Sequence, residues 1–187
     1  DALGKEKVTA VMMPSRYTAD ISQIDARQMA LNLGVRYEEI AITPLVNAFS
    51  ASLANYFPHQ VQTDNQEDVT AENIQARVRG VLLMALANKH GSIVLTTSNK
   101  SELAVGYCTL YGDMAGGFAV IKDIPKMMVY RLCEWRNTNA EIIPTRILTR
   151  APSAELRPNQ TDQDSLPPYE ILDAIVRAYV EKNASVD

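Results

Sequence analysis

The sequence predicts an α/β protein with a doubly wound parallel sheet, organised as one domain over residues 1–187. Two observations carry that prediction. Val8 to Met13 (VTAVMM) and Ser92 to Thr96 (SIVLT) are short, largely apolar, β-branched runs, the pattern of strands buried on both faces. Longer segments with helical periodicity alternate with the strands, which implies right-handed crossovers. The chain is long enough to bury one core. Its 47% hydrophobic and 21% charged residues are those of a globular protein rather than a disordered one.

Each element has a local reason. Val8 to Met13 is stopped by Pro14. Ser22 and Asp25 have capping-box spacing, so a helix is expected from there to Leu33, with Ile24, Met29 and Leu33 on its apolar side and Gly34 at its end. A second strand follows over Tyr37 to Ile42. Thr43 and Pro44 suit an N-cap and a first helical position, which predicts a helix over Leu45 to Tyr56. Pro58 to Asp68 is polar and aperiodic. The next helix is long, from Ala71 to about Asn88, with Ile74, Val78, Val81, Leu82 and Ala85 on one stripe and Gly91 ending it. Beyond the strand at Ser92 to Thr96, four glycines within Asn99 to Phe118 indicate a structured loop region around a short helix. Helices are expected over Lys126 to Arg136 and Pro168 to Lys182, separated by the polar, proline-punctuated Ala151 to Pro168.

Eighteen Lys and Arg against twenty-two Asp and Glu leave a net charge of −4, which argues against a general nucleic-acid or membrane-surface binder. The longest apolar run, Val81 to Ala87, is far short of the roughly 20 residues of a membrane helix. Two cysteines, Cys108 and Cys133, make neither a disulfide framework nor a four-thiolate metal site, and a reduced, cytoplasmic setting is expected. There is no metal-ligand spacing, no Gly-x-Ser-x-Gly elbow, no phosphate-binding Gly-x-x-x-x-Gly-Lys-Ser/Thr and no strand-linked Gly-x-Gly-x-x-Gly. No catalytic nucleophile is singled out, and any nucleotide is held by another device.

The chemistry concentrates in a few places. Thr96 to Glu102 (TTSNKSE) stands at the carboxyl end of a strand, where open α/β sheets place their ligands. There Thr97 suits a phosphate or base edge and Glu102 a hard cation such as Mg²⁺. The same stretch also reads as Ser98 and Asn99 capping a helix that starts near Lys100. Asn73 and Arg77 are four apart and share one helix face, either to hold a ribose or amide and a phosphate or as a solvated pair. Lys126 follows Pro125 at a helix start, within reach of a phosphate or simply solvated. Ser153 suits a turn. The glycines of Gly112 to Phe118 hold the backbone tightly around Asp113, as an anion cradle or as a turn.

Five stretches, Met13 to Thr18 (MPSRYT), Glu72 to Gly80 (ENIQARVRG), Thr96 to Gly106 (TTSNKSELAVG), Thr109 to Phe118 (TLYGDMAGGF) and Ala151 to Tyr169 (APSAELRPNQTDQDSLPPY), together resemble the synthetase domain of NAD synthetases. TSNKSELAVGY and TDQDSLPPY are similar to the glutamine-dependent branch more than to the short ammonia-only enzymes. The resemblance implies an adenine nucleotide α-hydrolase-like fold of the N-type ATP pyrophosphatase kind. It also implies a reaction in which the nicotinate carboxylate of deamido-NAD attacks the α-phosphorus of ATP, after which ammonia, free or derived from glutamine, displaces AMP. Carried over by position, Thr97, Lys126 and Ser153 match ATP contacts. Asn73 and Arg77 match positions lining the deamido-NAD site, and Asp113 lies in the matching loop. Glu102 matches a carboxylate assigned to Mg²⁺ in the ammonia-only branch and to deamido-NAD in the glutamine-dependent one.

The departures matter too. The family's Ser-Gly-Gly-x-Asp-Ser signature and its glutaminase domain are absent from these residues, and two dinucleotide positions of the short branch are here Leu110 and Gly117. The expectation is therefore a piece of a larger, homo-oligomeric enzyme, inactive by itself. Pro58 to Asp68 and Gln160 to Ser165 are candidate lids. The competing readings are a non-catalytic binding module and another N-type ATP pyrophosphatase, such as a GMP synthetase-like enzyme.

Overall fold

The first strand, β1 (Thr9–Met12), pairs in parallel with β2 (Arg36–Glu39), Thr9 opposite Arg36 and Met12 opposite Glu39. A parallel pair needs a crossover, and α1 (Asp20–Leu33) provides it. These features come from a computed structural model, which describes residues 2–57 and 68–185. A second parallel pair joins β3 (Leu95–Thr96) to β4 (Phe118–Ala119). Around the strands stand α2 (Thr43–Leu53), α3 (Thr70–His90), α4 (Lys100–Ala104), α5 (Lys126–Arg136), α6 (Thr145–Thr149) and α7 (Tyr169–Val176), which continues as a π-helical turn over Arg177–Glu181. The α/β class and parallel pairing are those expected. Among the described residues the strands form two pairs of two.

Several local expectations need correction. Ser22 and Asp25 do not cap α1, which begins at Asp20 after Ala19. Ala19 has no capping side chain, and its amide N–H donates instead to Glu155 Oε2 (3.3 Å), 136 residues away. Thr43 is the first residue of α2 rather than its cap, because Ile42 fills that position: it is fully buried, and its N–H donates to the Pro14 carbonyl (2.9 Å). The α2 helix closes at Leu53, with a 3₁₀ turn over Ala54–Tyr56. The strand expected over Ser92 to Thr96 shrinks to two paired residues. By contrast, α5 has the expected bounds, and Gly34 and Gly91 end α1 and α3 in the left-handed conformation that glycine adopts without a Cβ penalty.

One core cluster joins Met13, Ile42 and Val78, with Val11, Ile40, Val46, Ile74, Leu82 and Leu83 packed around it. It fastens α3 to the β1–β2 pair. Val81, expected on the apolar stripe, is instead 68% exposed. The second packed face of α3 is its small-residue face. A Cβ at Gly80 would stand 2.7 Å from the Gly112 carbonyl oxygen, so the helix approaches the 109–113 loop at backbone distance. Another core cluster, Tyr169, Leu172 and Val176 with Met127 and Leu166, joins α7 to α5. No helix among the described residues is long and apolar enough to cross a membrane. Of the two candidate lids, Pro58 to Asp68 lies outside the described residues except for Asp68. The other, Gln160 to Ser165, contains a 3₁₀ turn over Asp162–Asp164. Thr161 and Asp164 form a capping box there, and Asp162 is buried.

Candidate functional site

A cavity of about 840 Å³ opens between α1, α3, the loop after α4, α5 and the 147–162 segment. Of the candidate residues, Asn73, Glu102, Asp113, Lys126 and Ser153 line it, together with Arg79, which spacing did not single out. Thr97 and Arg77 are not in its wall. Thr97 is exposed, and Arg77 is exposed with its Nε donating to the Leu110 carbonyl (3.2 Å). Asn73 and Arg77 do share a face, as their spacing requires, since Asn73 Oδ1 accepts from Thr109 Oγ1 (2.7 Å) and both therefore engage the same loop.

The short helix α4 is capped as one of the two sequence readings had it. Asn99 Oδ1 accepts from the Glu102 N–H (3.0 Å) and Glu102 Oε2 from the Asn99 N–H (3.3 Å). Capping does not exhaust Glu102, whose Oε1 accepts from Lys126 Nζ (2.8 Å) in a pair that is largely shielded from water. Lys126 opens α5 after Pro125, which has no side-chain acceptor. Neighbouring elements cap α5 instead: the Lys126 N–H donates to Ser101 Oγ (2.9 Å) and the Met127 N–H to Asp173 Oδ2 (2.9 Å). Ser101 Oγ in turn donates to Asp173 Oδ1. These bonds fix the root of Lys126 while its ammonium reaches the cavity wall.

A second group of polar side chains lines the cavity beside α1. Arg150 donates to both Ser22 Oγ (2.6 Å) and Glu155 Oε1 (2.8 Å), and Ser22 Oγ lies 2.6 Å from that same Glu155 oxygen. Asp25, buried behind them, accepts two bonds from Arg146, one of 2.9 Å from Nε. Those bonds hold its carboxyl below the usual carboxylate range. Arg79 donates Nε to the Met13 carbonyl at the end of β1 (3.0 Å). Burial lowers the pKa of Arg79 and raises that of Asp113, each charge partly offsetting the other's desolvation.

The glycines of Gly112 to Phe118 serve close packing. A Cβ at Gly116 would meet Thr96 Cγ2 at 2.6 Å, and one at Gly117 would meet Ile93 Cγ1 at 2.6 Å. Cys108 and Cys133 are free thiols on the cavity wall, and burial pushes the Cys133 pKa up, which disfavours the nucleophilic thiolate. No group of three or more His, Cys, Asp or Glu placed to hold a metal occurs among the described residues. Glu102 contributes a single carboxylate to the cavity wall, its two oxygens held by the Asn99 N–H and the Lys126 ammonium.

Spacing missed Arg79, Glu155 and Asp162. The signal for Arg79 was present in Ala76 and Gly80, which mark the side of α3 that approaches another backbone. Glu155 and Asp162 carry no local signature: Glu155 bonds Ala19 and Ser22, 136 and 133 residues away, and Asp162 bonds Tyr107, 55 residues away, as well as Tyr169.

Residues 1–187 match the family model described as NAD synthase. The chain is 56% identical over 187 residues to the glutamine-dependent NAD(+) synthetase of Acinetobacter baylyi, covering 99% of this chain and 34% of that protein. Among solved structures, it superposes on the glutamine-dependent NAD+ synthetase from Acinetobacter baumannii in complex with ADP with a TM-score of 0.73. That match has 47% identity and covers 98% of this chain and 32% of the other. The NMN synthetase from Francisella tularensis gives a TM-score of 0.78 at 29% identity, covering 96% of this chain and 68% of the other. The chain spans about a third of the length of the curated relatives it matches.

Proposed function

The chain belongs to the NAD synthase family, and from that premise we propose that it is the amide-forming part of a glutamine-dependent NAD synthetase. The observation that carries the reading is the convergence of Asn73, Glu102, Asp113, Lys126 and Ser153 on one cavity. These residues come from α3, α4, the 109–118 loop, α5 and the 151–156 segment, and chance gives little reason for them to meet.

The proposed substrates are ATP and deamido-NAD. In the first step a carboxylate oxygen of the nicotinate forms a bond to the α-phosphorus, and the bond from that phosphorus to the β-phosphate bridge breaks, releasing pyrophosphate. In the second step ammonia forms the C–N bond, the C–O bond to AMP breaks, and a proton is released. A carboxylate is a poor electrophile, so the adenylate supplies the leaving group it lacks. Charge that accumulates on phosphate oxygens calls for preorganised cations. Lys126 meets this need as a point charge at the start of α5, and Ser153, on the cavity wall, and Thr97, outside it, are the proposed hydroxyl contacts to ATP. Asn73, Glu102 and Asp113 on the wall, with Arg77 outside it, are assigned to deamido-NAD. Mg²⁺, when it accompanies ATP, neutralises phosphate charge, and Glu102 is the carboxylate we assign to it. The enzyme is proposed to be a homo-oligomer, with the exposed Leu45 and Phe49 of α2 among its proposed contacts.

Equilibrium binding to the full-length protein tests the assignment. Lys126→Ala is expected to weaken ATP binding about tenfold or more, the scale of a lost charge-assisted contact. Asn73→Ala is expected to weaken deamido-NAD binding while leaving ATP binding near the parent value. If both variants weaken both ligands equally, or neither does so, the assignment is wrong.

A further inference from the structure

Asp162 is 4% exposed, as is Tyr169, and it is bonded in three directions. Its Oδ2 accepts from the Tyr169 hydroxyl at 2.7 Å and its Oδ1 from the Tyr107 hydroxyl at 3.3 Å. Its backbone N–H donates to the Pro152 carbonyl at 3.0 Å, next to Ser153. The Tyr169 ring, anchored at its hydroxyl by Asp162 and at its body by Leu172, Val176 and Met127, lies under Lys126, whose Nζ is 5.1 Å from the ring centroid. The ammonium is therefore located by two contacts, the Glu102 carboxylate at 2.8 Å and the face of a fixed ring.

We propose that Asp162 is the positioning residue of the nucleotide site: through Tyr169 it sets the Lys126 ammonium, and through Pro152 it sets the turn that carries Ser153. Both of these are the ATP contacts assigned above, so the inference rests on that assignment. A carboxylate suits the position because it accepts two hydroxyl bonds at once and leaves no buried polar atom unsatisfied. Tyr107 and Tyr169 thus share one carboxylate, each on its own oxygen. A side chain with one acceptor fewer releases one of them.

A double-mutant cycle in the full-length enzyme tests this, with KM for ATP and for deamido-NAD, kcat and the thermal midpoint all recorded. Tyr169→Phe removes the hydroxyl and keeps the packed ring. It is expected to raise ATP KM about 3- to 10-fold, the range of an attenuated cation–aromatic contact, with the change falling on ATP KM rather than on kcat or on deamido-NAD KM. In a Lys126→Ala background the same substitution should change ATP KM by less than about twofold, since the residue through which it acts is gone. Asp162→Asn should behave as Tyr169→Phe in both backgrounds, because the backbone N–H that bonds the Pro152 carbonyl, and with it the Ser153 turn, is kept. Equal factors in both backgrounds for Tyr169→Phe, or a fall in thermal midpoint with ATP KM unmoved, overturn the proposal. Should Lys126→Ala itself leave ATP KM at the parent value, the underlying assignment of the ATP site fails, and the positioning role fails with it. An effect of Lys126→Ala without any effect of Tyr169→Phe overturns the positioning role alone.

Discussion

Replacing Gly80 by Ala sets two effects of opposite sign against each other. In a helix interior Ala is favoured over Gly by about 1 kcal/mol, so propensity alone predicts a more stable protein. The geometry predicts the reverse. The added Cβ would stand 2.7 Å from the Gly112 carbonyl oxygen and 2.9 Å from its carbon, and those atoms are backbone, with no side-chain rotation to relieve the contact. Inserting a carbon into a packed contact costs about 1–3 kcal/mol. The net expectation is a loss of about 1 kcal/mol, with the 109–113 loop displaced from α3. Hydrogen exchange of the α3 amides and the denaturant midpoint of the full-length protein measure it. Asn88→Ala, exposed on the same helix, serves as the propensity control and should gain about half a kcal/mol. Because Thr109 and Asp113 belong to the displaced loop, deamido-NAD KM should also rise. If Gly80→Ala slows exchange and raises the midpoint as Asn88→Ala does, the close approach of α3 to the loop is not real, and the cavity wall is misplaced.

Three further outcomes follow from the same geometry. The Asp25 carboxyl is held below its ordinary 3.8 by its bonds to Arg146. Its stabilising contribution is therefore present above about pH 4 and lost as pH falls through the lower folded value. Asp25→Asn should flatten that acid limb in denaturant melts, and an unchanged limb refutes the pair's importance. Asp113 has the opposite sign: burial raises its pKa, so stability falls as pH climbs from about 4 through the raised value, and Asp113→Asn should remove that decline. A decline that persists in the variant belongs to another group. Gly116→Ala places a Cβ 2.6 Å from Thr96 Cγ2 and 2.9 Å from the Val94 carbonyl oxygen, so a loss of about 1 kcal/mol or more in thermal or denaturant stability is expected. A neutral result removes the packing explanation of the Gly-Gly pair.

What the sequence made legible was what short-range chemistry decides. Gly34 and Gly91 end helices because the left-handed cap conformation penalises any Cβ, and a single residue reveals that. Pro125 announces α5 at the right residue. The blocks that resemble the family supplied seven candidate residues, of which Asn73, Glu102, Asp113, Lys126 and Ser153 line one cavity while Thr97 and Arg77 stand outside it. Contributions from distant residues were illegible. The cap of α1 comes from Glu155, and Asp25 is taken from a presumed capping box by Arg146, 121 residues further on. Periodicity placed Val81 on the buried stripe, yet α3 divides its packing between an apolar core and a glycine-mediated loop contact, so the buried arc is displaced from the one that hydrophobicity marks. Asp162 read as part of a polar tract, because a buried carboxylate satisfied by two tyrosines looks no different in sequence from a solvated one.

Isotope exchange reports whether this cavity belongs to an enzyme that forms an acyl-adenylate before ammonia arrives. Labelled pyrophosphate would be incubated with the full-length protein, ATP and Mg²⁺, with and without deamido-NAD, and without any source of ammonia. Label is expected to return to ATP when deamido-NAD is present, and that exchange is expected to be lost in Lys126→Ala. Exchange that proceeds equally without deamido-NAD, or cleavage of ATP to ADP and phosphate in place of AMP and pyrophosphate, would contradict acyl-adenylate formation.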